Sequence, residues 1–161
     1  MIELENPRDS HKSYFLLLIA VAIWCTLIIA APILSHHQHN MSSGLIYFFF
    51  SKICHQIPDR SISILNNQFA VCSRCSGIYF GFLIGALIYP FLPGMGKMKI
   101  PDRKLLLFSA IPISLDICLD IAGLWHNTEF TRLFSGLLLG SVASWYAVPG
   151  FCTISWRDLF K

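Results

Sequence analysis

Four residues with soft ligand atoms fall in one polar stretch: Cys54 and His55, adjacent in sequence, then Cys72 and Cys75. They stand in the segments Cys54-His55-Gln56-Ile57-Pro58-Asp59-Arg60-Ser61 and Cys72-Ser73-Arg74-Cys75-Ser76-Gly77. Two adjacent soft ligands and a Cys-x-x-Cys pair can close a tetrahedral metal site, with zinc as the expected ion. The same thiols can instead cycle between dithiol and disulfide. A Cys-x-x-Cys whose second cysteine opens a helix has its thiolate favoured by the helix dipole, and Arg74 pushes the same way. A plain disulfide stapling an extracytoplasmic loop is the structural alternative.

A second set of reactive residues lies inside an apolar run. Asp116 and Asp120 are one helical turn apart, on one face. An ionised carboxylate within a bilayer span costs at least about 2.5–3.5 kcal/mol, so two of them require a cationic partner or a watery cavity. Asp116, Asp120, Arg60 and Arg132 are therefore the candidate catalytic residues, handling a proton, a cation or a substrate. The structural alternative is a carboxylate–arginine pair made with Arg132 or Arg60. Arg132 is the nearest candidate by topology for Asp116.

The elements that hold these groups are set by the solvent. The chain has 161 residues, 55% of them hydrophobic and only 13% charged. A soluble domain carries about 25% charged residues, so water cannot be the only solvent here. The net charge of +3 is modest, and the basic residues flank apolar runs rather than forming a stripe interleaved with aromatics. That distribution excludes nucleic acid as the expected partner and suits membrane orientation.

Four runs approach the roughly 20 apolar residues that a bilayer core needs. They are placed at about 14–34, 76–92, 105–125 and 133–149. The first, preceded by Arg8 and Lys12, is longer than the apolar core of a signal peptide and reads as a retained anchor. A fifth run, Leu45 to Ile53, is too short to span and reads as an interfacial or re-entrant helix leading into Cys54. Lys97, Lys99, Arg103 and Lys104 crowd the short link between the second and third runs. With Arg8, Lys12, Arg157 and Lys161 they predict cytoplasmic termini and an outward-facing loop over 35–75 in a cytoplasmic (inner) membrane. The third helix then runs outwards and carries Asp116 and Asp120 about 18 and 24 Å from its start, at about 1.5 Å per residue.

Other signals read as packing. Gly77, Gly81 and Gly85 on the second helix, and Gly136 and Gly140 on the fourth, recur every fourth residue and let helix backbones approach closely. His36, His37 and His39 end the first helix with polar groups at the interface, and Cys25, Cys118 and Cys152 read as packing or incidental cysteines.

The two cysteine segments resemble an uncharacterised family of small polytopic membrane proteins from bacteria and archaea. Its Cys-His-Gln-x-Pro-x-Arg-Ser stretch matches Cys54, His55, Gln56, Pro58, Arg60 and Ser61. Its Cys-x-Arg-Cys-x-Gly-x-Tyr-x-Gly stretch matches Cys72, Arg74, Cys75, Gly77, Tyr79 and Gly81, and its buried Asp, later Arg and two glycines match Asp116, Arg132, Gly136 and Gly140. The resemblance spans Cys54 to Gly140 and implies a membrane protein with no assigned activity. Where the family pattern has a Gln one turn after the aspartate, this chain has Asp120, a second carboxylate. A looser likeness of layout is to the quinone-linked disulfide-generating membrane proteins. Those place a Cys-x-x-Cys at the outer start of the second helix but carry a second outer cysteine pair, where this chain has Cys54 alone.

The expected fold is all-α: one membrane domain over 1–161, a four-helix transmembrane bundle with a long extracytoplasmic Cys/His loop containing a short interfacial helix. The expected function is a zinc site of Cys54, His55, Cys72 and Cys75 above an Asp/Arg pocket, with a lipid or small solute as substrate and the bilayer as partner. Two alternatives stand beside it: a quinone-linked thiol–disulfide oxidoreductase using Cys72 and Cys75, and a non-catalytic module that binds a partner in the membrane.

Overall fold

The structure, a computed structural model, describes residues 7–92, 101–124 and 126–152. Lys97, Lys99, Trp125, Arg157 and Lys161 lie outside the described residues. The expected all-α class holds. Helix α1 covers Pro7–His36, α2 Asn40–Ser51, α3 Ser73–Ile88, α4 Arg103–Ile121 and α5 Glu129–Cys152. Three helical stretches, His11–His36, Ser73–Phe91 and Glu129–Cys152, are long and apolar enough to cross a membrane. The third expected run corresponds to α4, whose 19 residues carry both aspartates and which is not one of those three.

The expected short helix before Cys54 is α2, and it lies back along α1. Ser43, Ile46, Tyr47 and Phe50 are three or four residues apart, so they share one face. That face meets α1: Phe50 is fully buried, its ring edge-on to Trp24 at 5.2 Å, and Ser43 donates to the Ala31 carbonyl at 3.0 Å. Met41, Leu45, Phe48 and Phe49 remain exposed on the rest of the helix.

Between α2 and α3 the chain folds into a compact cap. A 3₁₀ turn, Pro58–Arg60, is followed by a two-stranded hairpin, β1 (Ser63–Ile64) against β2 (Asn67–Gln68). Its two-residue turn has positive φ at both Leu65 and Asn66, the geometry whose twist matches that of paired strands. Ser35 on α1 donates to the Asn67 side chain at 2.9 Å, and the Tyr47 hydroxyl donates to the Gln68 carbonyl. Phe69, Ala70 and Val71 then bury themselves against Ile28, Ala31, Phe50 and Cys54, making the main core directly under the cap.

Helices α3 and α5 form the tightest seam, where the glycines read as packing residues do pack. A Cβ at Gly81 would meet the Leu137 backbone at less than 3.0 Å, and one at Gly140 would meet the Ile78 backbone as closely. The close approach lets Ser141 donate to the Gly81 carbonyl at 3.0 Å and Trp145 to the Gly85 carbonyl at 3.2 Å. Helix α4 packs chiefly on α5 and leaves Leu107, Phe108, Ile111 and Leu115 exposed. This arrangement brings four chain segments to one end: the α1 C-terminus with its cap, the start of α3, the end of α4 and the start of α5.

Candidate functional site

Cys54 follows α2 because its backbone N–H closes the last turn onto the Phe50 carbonyl at 2.9 Å. Cys72 is the residue that opens α3, with extended backbone (φ −66°, ψ 161°), and Cys75 lies on its first turn. The Sγ atoms of Cys54, Cys72 and Cys75 all lie within 4.8 Å of one another. Cys54 is buried and the other two are half-buried, and all three are free thiols. Cys54 Sγ also accepts the Cys72 backbone N–H at 3.2 Å, which fixes the two segments in register.

Gln56 provides the clamp that sequence reading left without a role. Its side-chain amide donates to the Tyr47 carbonyl at 2.8 Å and to the Ala70 carbonyl at 2.7 Å, while its own carbonyl accepts from the Gln68 side chain at 3.3 Å. A positive φ of 50° turns the backbone there. Gln56 thereby holds the chain after Cys54 against the segment before Cys72, and so brings the thiols together.

The Cys54 thiol is held below its ordinary pKa. Hydrogen bonds from the Cys72 and Cys75 thiols stabilise its thiolate, opposed by burial and reinforced by the Cys72 backbone N–H. Three thiolates around zinc at about 2.3 Å stand roughly 3.8 Å apart, so a cluster within 4.8 Å accepts such an ion with small adjustments. His55 is exposed, and no atom of it belongs to the cluster. His36, His37 and His39 are also exposed and outside it.

The charged residues assemble beside the thiols, with a pairing that differs from the expected one. Arg74 Nη2 donates to Asp116 Oδ2 at 2.5 Å, with side chains 22% and 9% exposed respectively. Asp120 lies 3.8 Å from both Arg60 Nη2 and Arg132 Nη2. Asp116 is thus paired with Arg74, where Arg132 was expected by topology; Arg132 reaches Asp120 instead. The reason is angular. Successive residues on a helix turn by about 100°, so Arg74 projects away from Cys72 and Cys75 and towards α4. Asn127 supports the same aspartate by donating to the Asp116 carbonyl at 2.8 Å. Arg74 belongs to the Cys-x-Arg-Cys motif, and its place on a glycine-lined helix was the available signal for a buried partner.

The remaining cysteines stand apart. Cys25 is buried in α1 with its thiol 3.5 Å from the Tyr79 carbonyl, Cys118 is exposed, and Cys152 is half-buried.

Long apolar helices, a capped thiol cluster and buried charge pairs at one end define a helical integral membrane protein. The chain belongs to the family described as predicted membrane protein (DUF2085), whose pattern matches residues 54–146. That segment starts at the first thiol of the cluster and runs into α5, which bears out the resemblance carried by the two cysteine segments. An uncharacterised protein of Methanocaldococcus jannaschii, MJ1492, is 34% identical over 145 residues, covering 87% of this chain and 93% of that protein. An uncharacterised protein of Methanothermobacter thermautotrophicus is also 34% identical, over 91 residues that cover 56% of this chain and 80% of its own length. No solved structure matches the chain.

Proposed function

We propose that this membrane protein carries a metal centre, with zinc as the ion, held by Cys54, Cys72 and Cys75 on the extracytoplasmic side. The observation that carries the reading is the convergence of three thiols from two separate segments within 4.8 Å, one of them buried. A three-thiolate set leaves a fourth position for a water or a substrate atom, the arrangement of zinc sites that act on ligands rather than only brace the fold. Bound zinc would supply Lewis acidity there. Asp116, Asp120, Arg60 and Arg132, with Arg74, form the polar pocket beside it, where a lipid or small solute would be oriented. In this reading α4 is the fourth membrane span, and both termini lie in the cytoplasm.

A second reading draws on the same thiols being free and on the lowered Cys54 pKa. Two of the three would pass two electrons and two protons to a membrane quinone, forming one disulfide and a quinol; the third, as thiolate, would exchange with that disulfide, forming a new S–S bond and releasing one of the first two as thiolate. Elemental analysis of the purified protein, combined with a free-thiol count, separates the two. About one metal per chain supports the first. A metal-free protein whose thiol count falls by two on adding quinone supports the second and removes the first.

A further inference from the structure

We propose that Arg60, Arg74 and Arg132 form a binding site for a singly charged phosphate oxyanion, a phosphodiester or inorganic phosphate. The inference rests on the reading of the thiol end as the working end of the bundle, and it names the ligand class of the polar pocket.

Charge is the first observation. Three guanidinium groups face two carboxylates, Asp116 and Asp120, so at formal charges the group carries one positive charge in excess (3 − 2). A monoanion closes that balance. Geometry is the second. Asp116 is engaged by Arg74 at 2.5 Å, which leaves Asp120 to serve both Arg60 and Arg132. It stands 3.8 Å from each, beyond hydrogen-bond reach of either. One planar carboxylate therefore does not satisfy two guanidinium forks arriving from different elements, the 3₁₀ turn and α5. A tetrahedral oxyanion offers acceptors in more than one plane and matches such forks.

Unmet donors are the third observation. The Arg132 side chain is only 9% exposed, and its Nε has no hydrogen-bond partner among the described residues. Arg74 Nε is in the same condition. Buried donors in folded proteins are almost always paired with protein, water or a ligand, and these two guanidinium N–H groups are open to an acceptor that the described residues do not supply. Arg60 is 50% exposed and gives that ligand an open approach from the cap side.

The test uses the full chain purified in a maltoside detergent without phosphate, with metal content measured on the same sample. Thermal unfolding is followed while titrating sodium phosphate, short-chain phosphatidylglycerol, or sodium chloride at matched ionic strength. The expected result is a saturable rise in the unfolding midpoint with at least one phosphate compound and none with chloride. A rise with inorganic phosphate identifies free phosphate as a source; a rise with the phospholipid alone identifies a lipid headgroup. Arg60→Gln, at a half-exposed position that does not threaten folding, should weaken the response about tenfold or more through the loss of a charge-assisted hydrogen bond. Asp120→Asn should tighten it, because a competing carboxylate charge is removed, which a merely structural role for the arginines would not produce. No saturable rise, an equal rise with chloride, an Arg60→Gln protein of unchanged affinity, or weaker binding by Asp120→Asn each overturns the proposal. A metal-loaded protein without a phosphate response sinks this inference alone, and a phosphate response in a metal-free protein sinks only the metal reading.

Discussion

Arg74 and Asp116 join the first turn of α3 to the distal part of α4 through an ion pair of 2.5 Å. The arginine sits between the two cysteines of the Cys72–Cys75 turn, so one turn of helix supplies two thiols to the cap and a cation to the neighbouring helix. Any movement of that turn shifts both halves of the site. The pair therefore couples the thiol cluster to α4, which otherwise rests chiefly on α5.

The Arg74–Asp116 pair should behave as a buried one. Breaking it from either side leaves an unpaired charge and costs about 3–5 kcal/mol, whereas removing both charges can be nearly neutral. Arg74→Gln and Asp116→Asn should each lower the unfolding midpoint in detergent, and the double variant should recover much of the loss. Arg132→Gln combined with Asp116→Asn should show no such recovery, since Arg132 faces Asp120. Additive losses in the Arg74/Asp116 double variant would sink the pairing.

Metal retention should separate Cys54 from its neighbour in sequence. Cys54→Ser, Cys72→Ser and Cys75→Ser should each lose the proposed metal, and His55→Ala, at an exposed position outside the cluster, should keep it. Metal content per chain is the measurement. Loss of metal in His55→Ala would restore the histidine to the ligand set.

Acidity offers an independent check on the cluster. The folded chain holds the Cys54 thiol below its ordinary pKa, so it binds fewer protons there than the unfolded chain. Stability from this group is complete above the ordinary thiol value of about 8.5 and is lost as pH falls towards the folded value. Chelator-treated protein should therefore grow more stable as pH rises from neutrality towards about 8.5, with thiolate absorbance in the ultraviolet already present at neutral pH. Cys54→Ser should abolish both effects. A pH-independent midpoint in the unmodified chain would contradict the lowered thiol.

The glycine seam should tolerate no side chain. Gly81→Ala places a methyl group less than 3.0 Å from the Leu137 backbone and should destabilise by about 1–3 kcal/mol, the range for overpacking. Gly44→Ala, where nothing lies within 4 Å of the added carbon, is the control and should leave the midpoint within error or raise it slightly. Equal midpoints for Gly81→Ala and the unmodified chain would deny the close α3–α5 approach.

Orientation is checked with an impermeant thiol reagent on intact cells. Over the labelling of the unmodified chain's own thiols, Ser42→Cys and Asn66→Cys, both at exposed positions, should gain label, and Lys99→Cys should gain none. The reverse pattern would turn the bundle over and move the thiols into the cytoplasm.

The sequence alone determined the all-α class, the apolar helices, the short helix before Cys54 and the glycine seam. Each is a local matter: an apolar run long enough to span, a chain of neighbours three and four residues apart, a small residue every fourth position. It also singled out the cysteines and the two aspartates, because two aspartates in an apolar run and a Cys-x-x-Cys are conspicuous wherever the chain puts them. Tertiary structure decided who meets whom. Adjacency in sequence put His55 beside Cys54, yet consecutive side chains at the end of a helix point in different directions, and only Cys54 turns inward to the other thiols. Loop order put Arg132 nearest Asp116, yet the roughly 100° step along α3 swings Arg74 onto that carboxylate and leaves Arg132 with Asp120. Gln56, whose side chain bonds two distant carbonyls, has a role visible only once Tyr47 and Ala70 are side by side. Side-chain direction in a folded bundle depends on helix rotation and on contacts between segments far apart in the chain, and no local pattern encodes either.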